Sequence, residues 1–187
     1  MTALWRPHDA FKELAAHPRL SLGAAMVAVS GAVSAGLEIA AAALSGDART
    51  GLGLSLLLPL LFVAFWGIAG WLIDAAAVAL GRSGRRRTYL AVSGAAFPAL
   101  VAFAALSLVE AAATRLTGSD ALASGLAWLT ILVLGWYLVL ATVAVRAVYD
   151  VPLLNAAAMA MLPYAAVTGA LLIVLVVLLA LRAAGAI

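Results

Sequence analysis

Residues 156–181 read AAAMAMLPYAAVTGALLIVLVVLLAL, an apolar run that no charged side chain interrupts. Four earlier runs share its character: Leu22 to Leu44, Leu52 to Leu80, Tyr89 to Ala113 and Leu126 to Val148. At 1.5 Å per residue, helices over these runs would reach roughly 35 to 44 Å, enough to cross a hydrocarbon layer about 30 Å thick with some tilt. Helix is the required reading in lipid, because backbone amides and carbonyls find no water there and must pair within their own segment. The predicted fold is therefore an all-α membrane protein, a bundle of about five transmembrane helices over residues 22–187. A short lead-in over 1–21 precedes it.

Composition agrees. Of the 187 residues, 67% are hydrophobic and 10% charged, against about 45–50% and 25% in ordinary soluble domains. A water-soluble core of this length could not hide so much apolar surface. The net charge of +3 rests on eleven Lys and Arg residues, which lie in short gaps between the runs rather than along one stripe. That pattern excludes nucleic acid as a partner and makes the lipid bilayer the expected one. The absence of cysteine excludes disulfides, thiolate metal sites and thiol nucleophiles. No metal or cofactor is expected, since His8 and His17 both precede the first run. HExxH, GxSxG and a phosphate-binding glycine loop are all missing, so catalysis is not expected either. A cleaved signal peptide is not expected, because the first run, at about 23 residues, exceeds the 7–15 of a signal core.

The runs are unequal. The first is rich in Ala and Gly and interrupted by Glu38, which makes it the weakest insertion signal; Gly31, Ser34 and Ala35 would let it sit close against other helices. Ahead of it, Asp9 is expected to cap a short helix with Phe11, Leu14 and Ala15 on one face, stopped by Pro18. That segment would lie on the membrane surface or remain a disordered tail. Trp66, Trp71 and Trp136 in the second and fourth runs, and Pro98 and Pro163 in the third and fifth, admit a parallel two-hairpin repeat or the ordinary frequency of Trp and Pro in such helices.

Orientation follows from the basic residues. With the N-terminus inside, Arg6, Lys12, Arg19, Arg82, Arg85, Arg86, Arg87 and Arg146 face the cytoplasm, while Arg49, Arg115 and Arg182 lie opposite. The bias predicts N-terminus in and C-terminus out, in a membrane expected to be the bacterial cytoplasmic (inner) membrane. The cluster Arg82, Arg85, Arg86 and Arg87 is a topology signal or a contact for anionic lipid.

Four ionisable residues fall within or at the margins of the spans: Glu38, Asp74, Glu110 and Arg146. At a helix centre each would cost about 2.5–3.5 kcal/mol, so each should pair, face the bundle or reach a wet edge. Asp74 and Arg146, both near the cytoplasmic ends of their helices, are expected to approach one another. Glu38 and Glu110 lie at similar depth near the outer side. They would share a proton or cation, or else partner Arg49 or Arg115; the second is expected, because neither lies at mid-bilayer. Pro59, Pro98 and Pro163 are predicted helix kinks.

Several segments in order resemble the bacterial branch of the Yip (Ypt-interacting protein) domain family. Residues Pro7 to Leu14 look like its Pro-x-x-x-Phe lead-in, and Gly81 to Tyr89 like the loop after its second span. Ser93-Gly94-Ala95-Ala96-Phe97-Pro98 resembles the entry of its third span. Trp136 through Arg146, with Leu162-Pro163, look like its last hairpin. The resemblance implies a five-helix membrane domain with a cytoplasmic N-terminus. Eukaryotic relatives bind Rab-type GTPases and carry an Asp-Leu-Tyr-Gly-Pro-like motif before the first span. Residues 1–21 hold no such motif. What the resemblance leaves is a membrane-organising or partner-binding protein, with a membrane-protein partner or a homo-oligomer as its counterpart. A small proton- or cation-coupled transporter or channel is the alternative that the acidic residues suggest.

Overall fold

The computed structural model describes residues 7–46, 48–118 and 121–183. Its helices are α1 (Pro7–Ala16), α2 (Leu20–Ser45), α3 (Ala48–Ala79), α4 (Arg86–Ser93), α5 (Pro98–Thr117), α6 (Ala121–Tyr149) and α7 (Leu153–Ala183), and a single 3-10 turn (Gly94–Ala96) joins α4 to α5. Taken with that turn as one crossing, α4 and α5 make the third of five segments long and apolar enough to span a membrane; the others are α2, α3, α6 and α7. The chain is thus an all-α integral membrane bundle, with three of the five runs inside their spans and the second and fourth overrunning theirs by one to three residues at an end.

Helix α2 is the centre of the packing, lying against α3, α4 and α5. Its buried face holds Gly23, Val27, Ser30, Gly31, Ser34 and Ala35, recurring every three or four residues as one side of a helix must. Small side chains bring backbones together here. A Cβ on Gly31 would stand 2.7 Å from Pro59 Cα, and one on Gly23 would stand 2.8 Å from the carbonyl oxygens of Leu90 and Ala91. The weakest insertion signal in the sequence is therefore one of the two spans most covered by protein, 33% of its window buried, as packing in lipid, which rewards close approach rather than apolar bulk, requires.

The third span is broken rather than kinked. A proline ring clashes with the carbonyl four residues earlier, which for Pro98 belongs to Gly94. The chain answers by tightening to a 3-10 turn over Gly94–Ala96, and Pro98 becomes the first residue of α5. Pro98 is thus a helix start, correcting the expected kink, whereas Pro59 and Pro163 do lie inside α3 and α7. The unlike settings of Pro98 and Pro163 remove one of the two marks of an internal repeat.

Helix α1 begins at Pro7, so Asp9 is not its cap. It sits within the first turn, where a carboxylate complements the helix dipole. The lead-in is a helix rather than a disordered tail. It packs on α4 and α6, with Phe11 only 1% exposed among Tyr89, Val148 and Tyr149 in the apolar core.

Burial is uneven along the bundle axis. Among the described side chains, every buried residue of α3, α6 and α7 except Ser55 lies in the half nearer α1: Trp66 to Ala77, Tyr137 to Tyr149, and Ala156 to Pro163. A belt of ring contacts closes that half. Phe62 meets Phe97 at 5.8 Å, Phe97 meets Tyr137 edge-on at 5.8 Å, and Tyr164 stands 6.3 Å from Tyr137 and 5.3 Å from Phe65. Beyond the belt every described side chain of α7 from Leu171 to Arg182 is exposed.

Candidate functional site

The half beyond the belt holds an open two-part chamber. Its deeper part, about 390 Å³, lies between α2, α3 and α5 and is mainly apolar, with Phe62, Phe103 and Leu58 on its walls and Ser34, Glu38 and Ser55 on its polar side. The outer part, about 670 Å³, is lined by Glu38, Ser55, Ser107, Glu110, Thr114 and Arg115 among others. Glu38 and Ser55 belong to both, so the two parts adjoin.

Helical spacing assembles the polar side. Ser34, Glu38 and Ser45 follow one another on α2 at intervals of four and seven, and Ser107, Glu110 and Thr114 on α5 at three and four, each set forming one face. Neither glutamate has a hydrogen-bond or ion-pair partner among the described residues. Arg115, one of the two expected partners, donates its Nη1 to the carbonyl of Leu44 at 2.9 Å. That carbonyl belongs to the last turn of α2, where no intrahelical donor remains for it. The side chain of Arg49, the other expected partner, lies outside the described residues. Ser34 is 2% exposed, and its Oγ has no hydrogen-bond partner. Ser45 and Thr117 are satisfied within their own helices, by Ala41 and Ala113 carbonyls at 3.1 and 2.8 Å.

At the α1 end, Asp74 is held by groups the sequence reading did not anticipate. Its Oδ1 accepts the backbone N–H of Arg85 at 2.7 Å and the hydroxyl of Tyr149 at 2.8 Å. Arg85 in turn donates Nη1 to the Val148 carbonyl at 3.3 Å. The expected approach of Asp74 to Arg146 is not found among the described contacts. Arg146 is exposed, and Tyr149, one turn further along α6, takes the carboxylate. The result is a latch tying the end of α3, the 80–85 connection and the end of α6. The connection is shaped for it by Gly81, at φ 76°: Gly81 N–H bonds Val78 O and Arg82 N–H bonds Ala77 O at 2.9 Å each, a Schellman ending that requires the left-handed conformation glycine adopts without strain.

The basic cluster divides accordingly. Arg85 is committed to the latch, while Arg82, Arg86 and Arg87 are exposed at the same end. Arg82 and Arg85 border a shallow recess of about 300 Å³ with Ser83 and Asp150. Among the described residues no three His, Asp or Glu side chains gather as a metal site would need.

Comparison with protein-family models, with curated proteins and with solved structures finds no match to this chain.

Proposed function

We propose that this is a non-enzymatic protein of the bacterial cytoplasmic membrane that works through lateral contact with a partner helix, from a second copy or another membrane protein. The observation that carries the reading is α7. None of its most apolar window is buried, against 22 to 33% in the other four spans. Its unaccompanied half also presents Ala165, Ala166, Gly169 and Ala170, pairs of small residues four apart of the kind that let a neighbouring helix approach closely. The Yip-domain resemblance belongs to the same proposal and stands on its motifs. Arg86 and Arg87 would add about 1 kcal/mol each toward anionic headgroups on the inner side; flotation of the loop peptide with liposomes, unchanged by anionic lipid content, would remove that part.

The test uses the lack of native cysteine. Single Ala166→Cys and Val174→Cys proteins, labelled with a thiol-reactive benzophenone and irradiated in native membranes, should give a discrete larger product. The control is Ile68→Cys, on the exposed side of α3. Crosslinking no greater at α7 than at residue 68 would refute the reading.

A second reading, a proton- or cation-coupled carrier, is favoured by one observation: two carboxylates on one chamber with no partner among the described residues. The aromatic belt behind Phe62 closes its floor, which favours a carrier over an open channel. Reconstituted protein should show pH-dependent flux that Glu38→Gln abolishes; flux indifferent to that substitution would count against it.

A further inference from the structure

We propose that the far-end chamber binds an amphiphilic cation, an ammonium head at Glu38 with an aryl or alkyl body against Phe62 and Phe103. The inference deepens the carrier reading and rests on it for the chamber being a solute site.

Charge sets the sign of the ligand. Glu38 and Glu110 line the chamber with no partner among the described residues, and Arg115, which also lines it, spends Nη1 on the Leu44 carbonyl. Among the described lining groups, two carboxylates against one guanidinium repel an anion and leave a neutral molecule unable to compensate them. Carboxylates in a membrane-depth cavity are costly unless a cation or donor meets them.

Shape sets the rest. A small hydrated metal ion would use the outer part and leave the deeper 390 Å³, with Leu58, Phe62 and Phe103 on its walls, unfilled. Binding sites of this kind are mostly apolar with a few convergent polar groups, and the convergent group here is Ser34. Its hydroxyl is buried to 2% exposure and unpartnered, one turn below Glu38 on the same face. A primary ammonium carries three N–H donors, enough for Glu38 and Ser34 Oγ together. Phe103 and Leu134, 38% and 40% exposed, leave the deeper part open sideways to lipid, the phase in which an amphiphile is concentrated.

The experiment uses the full chain in lipid nanodiscs and three probes of similar shape: 2-phenylethylamine, 2-phenylethanol and phenylacetate, measured by equilibrium dialysis against empty nanodiscs. Saturable binding of the amine alone is expected, weakened at least tenfold in Glu38→Gln, severalfold in Ser34→Ala, and less in Glu38→Asp. Equal retention of the alcohol and the amine by the unaltered protein would overturn the proposal without need of any variant. So would full amine affinity in a Glu38→Gln protein that melts like the parent. Saturable amine binding without flux in proteoliposomes would sink the carrier reading and leave the site standing. Coupled flux with no saturable amine binding would do the reverse.

Discussion

Gly94→Ala separates backbone strain from packing. Gly94 has φ −54°, in the right-handed region open to every residue, so alanine meets no conformational penalty there. The obstacle is α2. A Cβ at position 94 would contact the Gly23 carbonyl oxygen and stand 2.5 Å from Gly23 Cα and 2.7 Å from its carbonyl carbon. Carbon atoms pack at about 3.5–4.0 Å, so the crossing must open by roughly 1 Å. Overpacking costs about 1–3 kcal/mol, and the upper end applies because backbone on both sides cannot rotate away. Opening also pulls on Trp66, whose Nε1 donates to Ser93 Oγ and the Leu90 carbonyl at 3.1 Å each, at about a further 1 kcal/mol. The expected loss is about 2–4 kcal/mol, read by tryptophan fluorescence during reversible SDS unfolding. Gly36→Ala is the control: it lies on α2 with nothing within 4 Å of its Cβ position and should lose nothing. Gly23→Ala opens the same crossing, so the double variant should cost less than the sum of the two. A Gly94→Ala midpoint equal to that of the parent would refute the reasoning.

Three other outcomes follow from single contacts. Tyr149→Phe should cost about 1 kcal/mol and Asp74→Ala about 1–2, discounted because the Arg85 side of the latch is exposed; in the same unfolding assay the double variant should fall short of their sum, and strict additivity would dissolve the latch. Phe11→Ala removes a buried ring worth about 3 kcal/mol, more than a ten-residue helix can forgo, so hydrogen exchange at Asp9 to Glu13 should accelerate while α6 keeps its protection; unchanged exchange would mean α1 is held by something else. In intact cells an impermeant maleimide should label Ser119→Cys and spare Ser83→Cys, and the opposite pattern would invert the orientation.

The spans were legible because lipid leaves an apolar run of such length one backbone solution. The close seat of α2 was legible too, from Gly31, Ser34 and Ala35. What failed was partner choice. Residue types point a carboxylate such as Asp74 to a guanidinium such as Arg146, yet its shortest hydrogen bond, at 2.7 Å, comes from the backbone N–H of Arg85, a donor that every non-proline residue carries and no residue type marks. Asp9 was misplaced by a turn because Pro7, whose fixed φ suits a first helical position, outranks it as a start signal. Ser34, Ser55, Ser107 and Thr114 went unnoticed as lining residues. Their spacing relative to Glu38 and Glu110 was visible along α2 and α5, but which faces would converge depends on rotations set by tertiary packing.

The tight half and the chamber have one cause. Where α2 offers Gly23, Gly31 and Ala35, neighbouring backbones reach it, and large side chains from the other helices (Trp66, Phe97, Tyr137) fill what remains. Past Ser34 the α2 sequence becomes Ala40 to Ala43, and the facing part of α5 is Ala111 to Ala113. Alanine carries too little side chain to fill the space between packed helices, and Ala41, Ala42 and Ala111 all line the outer chamber. Replacing Ala111 by leucine should therefore fill the outer chamber, raise stability and reduce amine binding together. If such a variant gained stability with binding intact, the cavity would be a packing defect and the glutamates would owe their solvation to the membrane surface instead.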